Sequence, residues 1–222
     1  MTPALTPLQP YPLKPDLPPN IALFDSYAQV YHERYGDVSR YAQSLQHLLH
    51  QLPNSPQAIL DLACGPGNLS AYIQNHRKTD HFTLLDGSPA MLQLASKQFP
   101  EAVQHCCHST DLVGLGIVAD VVLCGFLLAY LSPSDVLSTM RGIETSLKRG
   151  GILFLSVQIL SNAASVVEYR DGAVTTWYHT QEDLMAILQQ LDFELIYSES
   201  MEPEEAAVEN EMELILICRK AH

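Results

Sequence analysis

Short strand-like runs alternate along this chain with longer stretches whose apolar residues recur at helical spacing. Residues 58–62, 82–86, 103–107, 120–126 and 152–157 have the bounded composition of strands buried in a sheet. Between them the apolar positions fall three and four apart. Val136, Leu137, Met140, Ile143 and Leu147 follow the helix-start sequence Ser132-Pro133-Ser134-Asp135, and this pattern predicts a helix that stops at Gly150-Gly151. Strand and helix in repetition predict a parallel sheet covered by helices. Ahead of the first strand, Phe24, Tyr27, Val30, Tyr31 and Tyr35, then Val38, Tyr41, Leu45, Leu48, Leu49 and Leu52, predict two helices over residues 21–52.

After the fifth strand the pattern changes. Residues 166–169 and 174–178 flank a turn signal at Asp171-Gly172 and predict a hairpin inside a variable insertion, residues 158–180. Thr180 and Asp183 then start a helix through Leu184, Ile187, Leu188 and Leu191, and residues 193–197 and 214–218 predict a closing strand pair. Glu202, Glu204, Glu205, Glu209 and Glu211 between them read as a solvated connection. Seven of the 14 prolines fall before residue 20, so residues 1–20 are expected to be an extended arm rather than helix, ahead of a single domain over 21–222.

The stretch Asp61-Leu62-Ala63-Cys64-Gly65-Pro66-Gly67-Asn68-Leu69-Ser70 joins the first strand to a helix through a turn with two glycines, which let a ligand approach the backbone. A dinucleotide loop carries a third glycine so that its helix can meet a pyrophosphate; Ser70 stands there instead, and Asp61 lies four residues ahead of the first glycine. A cationic ligand suits this loop better than a diphosphate. Asp86 ends the second strand some twenty residues on, the interval at which an acid meets ribose hydroxyls, and Ser88-Pro89 opens the next helix.

Asp-x-x-Cys-Gly-Pro-Gly after a hydrophobic strand resembles motif I of class I S-adenosylmethionine-dependent methyltransferases, and the resemblance runs to about residue 157. It implies a three-layer α/β/α sandwich with a Rossmann-like, seven-stranded, mostly parallel sheet and a C-terminal antiparallel strand. It also implies S-adenosylmethionine as cofactor, with S-adenosylhomocysteine as product, held by Asp61, Ala63, Cys64, Gly65, Gly67, Asn68, Asp86, Gly87 and Met91. Thr110, Asp111 and Leu112 would read the adenine, and Cys124, Gly125 and Phe126 would lie beneath the methionine part. Phe24-Asp25-Ser26-Tyr27-Ala28-Gln29-Val30-Tyr31 resembles the lid helix of small-molecule methyltransferases, with Tyr31 over the cofactor. Tyr31, Tyr130, Trp177, Tyr178 and His179 are the acceptor-pocket candidates; no clustered acid and base names a catalytic group. His105 and His108, without an identifiable partner acid, read as structural.

The chain lacks the Asn/Asp-Pro-Pro-aromatic signature of enzymes that methylate bases or protein glutamine; Cys124-Gly125-Phe126-Leu127 stands there. A formal net charge of −13 likewise argues against nucleic-acid partners and leaves a small-molecule acceptor. No apolar run is long enough to cross a bilayer and no signal-like segment begins the chain, so a cytoplasmic protein, monomeric or homodimeric, with five reduced cysteines and no metal is expected. Two readings from other classes stay open on this layered fold: a noncatalytic S-adenosylmethionine-binding regulator or partner subunit, and a nicotinamide-dependent oxidoreductase.

Overall fold

The computed structural model describes residues 17–171 and 174–221. Helix α1 (Pro19–Tyr35) and a 3-10 turn at Ser39–Tyr41 lead into α2 (Ala42–Gln51). Then follow β1 (Ala58–Leu62), α3 (Asn68–His76), β2 (His81–Asp86), α4 (Pro89–Gln98), β3 (Val103–Cys106), α5 (Leu112–Leu115), β4 (Ala119–Gly125) and α6 (Pro133–Ser146). The chain closes with β5 (Leu147–Leu160), the hairpin β6 (Val167–Asp171) and β7 (Val174–Tyr178), α7 (Gln181–Gln190), β8 (Phe193–Met201) and β9 (Glu211–Lys220).

The main sheet runs β3-β2-β1-β4-β5-β9-β8. Its first five strands pair in parallel, and β9 enters antiparallel between β5 and β8. Alternate residues of each strand face two separate cores. Leu60, Leu62, Val122, Leu153, Leu155 and Leu216 pack beneath α6 and α7, while Ile59, Val121, Leu123, Phe154, Ile215 and Ile217 pack beneath α2, α3 and α4. Leu45 and Leu48 of α2 are fully buried there, and each such side chain contributes about 1.5–3 kcal/mol of transfer free energy. The layers are therefore the three expected.

Boundaries differ from the sequence pattern in several places. Pro19 and Asn20 belong to α1, with Pro19 at the first helical position, where its missing N–H costs nothing; the proposed arm 1–20 ends earlier, and its residues 1–16 lie outside the described residues, as does Gly172 of the hairpin turn. Helix α6 ends at Ser146, and β5 begins at Leu147. Between Ala119↔Leu147 and Val121↔Ile152 the pairing passes an irregularity holding Gly150, whose φ is +73°. Strand β5 runs to Leu160, so the insertion starts later than residue 158. Glu211 is not in a solvated loop: it opens β9, is buried, and accepts hydrogen bonds from the Ala207 and Val208 backbone amides.

Candidate cofactor and acceptor site

Strand β1 leaves the sheet through a tightly wound loop. Ala63, Gly65 and Gly67 all have positive φ (+56°, +53° and +88°). For Ala63, which has a Cβ, this conformation costs on the order of 1 kcal/mol. The loop is tied to the tip of β2: the Gly65 amide donates to the Asp86 carboxylate at 2.8 Å, the Cys64 amide to the Leu85 carbonyl at 3.0 Å, and the Ser88 amide to the other Asp86 oxygen at 2.8 Å. Asp86 thus joins two turns at the C-terminal ends of adjacent parallel strands, the crevice where open α/β sheets take ligands. Burial raises its pKa, and the Ser88 and Gly65 amides oppose the rise.

The glycines differ in what they are for. A Cβ on Gly65 would lie 3.8 Å from the Tyr31 ring and 3.9 Å from the Met91 sulfur. Gly65 therefore sits in a cradle between lid and loop, where a larger side chain would fill the space. Gly67 is dictated by packing as well as by φ, since its Cβ would come within 2.9 Å of the Phe99 ring. At Gly87 a Cβ would meet the Ile21 side chain at 2.5 Å, so the backbone itself is the floor on which α1 rests.

Asp61 has a different task from the one its position suggested. Its side chain is buried and accepts a hydrogen bond from the Ser70 hydroxyl at 2.7 Å, pinning α3 to the end of β1. Burial pushes its pKa up to about 7, against the pull of Ser70. Ser70 is thereby fixed where a dinucleotide loop would need glycine, which removes the support for the nicotinamide reading.

Helix α1 covers this crevice and is held at both ends. Asn20 donates to the Tyr130 and Thr175 carbonyls and accepts from the Thr175 amide. Asp25, which sequence reasoning gave no role, is buried and accepts from the Ser88 hydroxyl (2.9 Å) and the Ala90 amide (2.8 Å) at the start of α4. An acid there also complements the helix dipole. Tyr31 stands over Gly65 with Phe24 at 6.0 Å and Tyr35 at 4.8 Å; burial raises its hydroxyl pKa. The Asn68 side chain donates to the Tyr35 carbonyl, linking α3 to the end of the lid.

Of the adenine-side residues, Thr110 is half-buried and bonded to His108 at 2.8 Å, and Asp111 is exposed at the crevice edge. Leu112 is fully buried against α6, at the position Gly142 leaves clear, so it is core rather than ligand surface. Cys124 is also buried, its thiol pushed up to about 12. Phe126 has φ +54°, donates its amide to the Ser156 carbonyl at 2.8 Å and lies 5.5 Å from the Tyr41 ring.

That strained turn leads to a polar group the sequence did not disclose. Ser156 and Gln158 of β5 face the α2 side, where Glu213 of β9 stands directly opposite Gln158. Glu213 is buried, accepts from the Tyr41 hydroxyl at 3.0 Å and pairs with Arg40 at 3.4 Å. Burial raises its pKa, while Tyr41 and Arg40 lower it. Of the expected acceptor residues, Tyr130 packs edge-on to Phe24 at 4.9 Å, and burial pushes its hydroxyl up to about 12. Trp177 is half-buried on the hairpin, opposite Glu168. Tyr178 is fully buried and hydrogen-bonded to Glu211. His179 is buried with Nε2 3.1 Å from the Leu128 carbonyl, and burial lowers its pKa, so it braces the turn after β4 as a neutral imidazole. Two shallow depressions, around Glu144, Arg149 and Lys220 and around Gly150, Gly151 and Arg219, lie at the opposite end of the strands from this chemistry.

A sheet of this order, with a glycine turn after its first strand and an acid at the tip of its second, is similar in fold to solved S-adenosylmethionine-dependent methyltransferases. Residues 60–153 match the family model for a methyltransferase domain. An uncharacterized methyltransferase, YodH, of Bacillus subtilis is 26% identical over 168 residues, covering 74% of this chain and 71% of the relative. An uncharacterized methyltransferase of Synechocystis, sll0829, is 26% identical over 189 residues, covering 78% and 88%. In fold, the chain is similar to the crystal structure of Burkholderia thailandensis 1,6-didemethyltoxoflavin-N1-methyltransferase, solved with bound 1,6-didemethyltoxoflavin and S-adenosylhomocysteine. The TM-score is 0.66 at 19% identity, over 96% of this chain and 94% of that one.

Proposed function

We propose that this enzyme moves a methyl group from S-adenosylmethionine to a small-molecule acceptor, binding the cofactor between the loop 63–67, the tip of β2 and the underside of α1. The observation that carries this reading is the cradle at Gly65: a backbone in left-handed conformation, tied to the half-buried Asp86, with Tyr31 and Met91 standing beside the position a Cβ would take. Asp86 has carboxylate lone pairs left for ribose hydroxyls beyond the two amides it accepts. Gly65 offers backbone to the ligand, Asp111 edges the adenine end, and Gly125 and Phe126 the methionine end, while Gly87 is covered by Ile21 and supports α1. Asp61 acts through Ser70 and α3 as a positioning residue.

The cofactor supplies a methyl group already activated on a sulfonium. The chain's own work is then orientation and exclusion of water, which can provide a large share of the rate. Tyr31, Phe24 and Tyr130 form an aromatic cover that excludes water; with hydroxyl pKa values raised by burial, Tyr31 and Tyr130 stay protonated at neutral pH. The formal net charge of −13 favours a small acceptor over nucleic acid. Calorimetry with S-adenosylmethionine and S-adenosylhomocysteine tests the reading, with micromolar binding of both expected. Robust heat with a nicotinamide and none with either sulfur ligand would refute it.

A further inference from the structure

We infer that the acceptor is read by a cluster of hydrogen-bond acceptors, Ser156, Gln158 and Glu213, and so is a small molecule presenting amine or ring N–H donors rather than a carboxylate. This rests on the methyltransferase reading and extends it to the substrate's class. Ser156 and Gln158 are two residues apart on β5, and Glu213 on β9 is the cross-strand partner of Gln158, so the three side chains share one face of the sheet. That face is the one beneath Gly125 and Phe126: a Cβ on Gly125 would lie 3.7 Å from the Ser156 hydroxyl. The cluster therefore adjoins the turn assigned to the methionine end of the cofactor.

The balance of donors and acceptors gives the chemistry. The Ser156 hydroxyl and the Gln158 Oε1 are shielded from solvent, and neither has a hydrogen-bond partner among the described residues. Ser156 itself is 1% exposed. Leaving such buried groups unmet is unfavourable, a cost that a ligand donating to them would remove. The phenolic and cationic donors on this face are already engaged. Tyr41 gives its hydroxyl to Glu213, and Arg40 pairs with Glu213 while donating to the Glu202 carbonyl at 2.7 Å. Glu204 and Glu211 add further negative charge near Glu213. A carboxylate entering here would meet the unpaired Gln158 oxygen and the acidic Glu213, Glu211 and Glu204, whereas an N–H donor would satisfy the oxygens and suit the charge.

The test combines binding and turnover in the full-length enzyme. With S-adenosylhomocysteine present, thermal-shift and calorimetric titrations would compare aniline, 2-aminopyrimidine and xanthine with malonate, succinate and aconitate; labelled S-adenosylmethionine would then measure transfer to every binder. Donor compounds are expected to bind and the dicarboxylates not. Gln158→Leu should raise the donor compound's KM at least about tenfold, with kcat changed less and S-adenosylhomocysteine affinity unchanged. Gln158→Glu, which keeps an oxygen at the position, should restore binding of the amine, and Glu213→Gln should weaken it. Binding of dicarboxylates alone, binding of no donor compound, or indifference of KM to Gln158→Leu would each overturn the inference. Failure of wild-type protein to bind S-adenosylhomocysteine would instead overturn the methyltransferase reading beneath it.

Discussion

Asp86 and Asp61 are both acids at strand ends, yet their partners separate their roles. Asp86 accepts only from backbone amides of the two turns it joins, so Asp86→Ala should weaken S-adenosylmethionine and S-adenosylhomocysteine by similar factors, about 10–100-fold by calorimetry, since ribose contacts precede and outlast transfer. Unequal losses would place its contact near the sulfur instead. Asp61 carries a pH signature. With its pKa raised to about 7, the folded state holds a proton that the unfolded state has already released between about pH 4 and 7; its contribution to stability is present at low pH and lost as pH rises through 7. Asp61→Asn removes that dependence, so the mutant's melting temperature relative to wild type should climb from pH 4 to 7. His179 works in the opposite direction, because its lowered pKa makes the fold lose stability as pH falls below about 6.5. The residues legible in the sequence were those whose signal is local, such as the Ser88 cap before Pro89. Ser156, Gln158 and Glu213 gave none: a polar residue in an alternating strand reads as a solvent face, and only the insertion of β9 beside β5 buries it.

At the scale of elements, the parallel core was readable because each strand is short, apolar and closed by a turn residue. The edges of elements were less so, since β5 continues through an irregular, glycine-containing stretch that in sequence looks like a helix end. The lid was readable as an aromatic stripe, but its attachments were not, because Asn20 reaches Tyr130 and Thr175 across more than a hundred residues of sequence. These attachments predict the lid's behaviour. Asn20→Ala leaves the Thr175 amide and two carbonyls without their partner, at about 1–3 kcal/mol, and should raise amide exchange in residues 19–35 while leaving β1 and β4 protected. Equal protection in mutant and wild type would mean that Asp25 and Ile21 alone hold α1 down. Gly65→Val acts on the other wall of the crevice. A β-branched residue at φ +53° costs on the order of 1–3 kcal/mol, a fall of a few degrees in melting temperature, whereas binding should be lost outright as the side chain enters the cradle.

Across the whole molecule the charges set how ligands arrive. The chain's formal net charge of −13 surrounds a crevice whose inner acids are largely neutralised by hydrogen bonds or burial, so its long-range field is stronger than its local one. S-adenosylmethionine carries a positive sulfonium that S-adenosylhomocysteine lacks, and the two are otherwise alike in shape. The field should therefore speed association of the first and leave the second nearly unaffected. Salt removes that advantage, because the Debye length shrinks from about 30 Å at 0.01 M to about 3 Å at 1 M. Stopped-flow measurement of both ligands over this range should show the S-adenosylmethionine association rate falling several-fold while that of S-adenosylhomocysteine stays nearly flat, with dissociation rates changing less than the difference between them. Parallel salt slopes would show that the surface charge is distributed away from the mouth of the crevice, and that recognition of the sulfonium depends on the residues beneath Tyr31 alone.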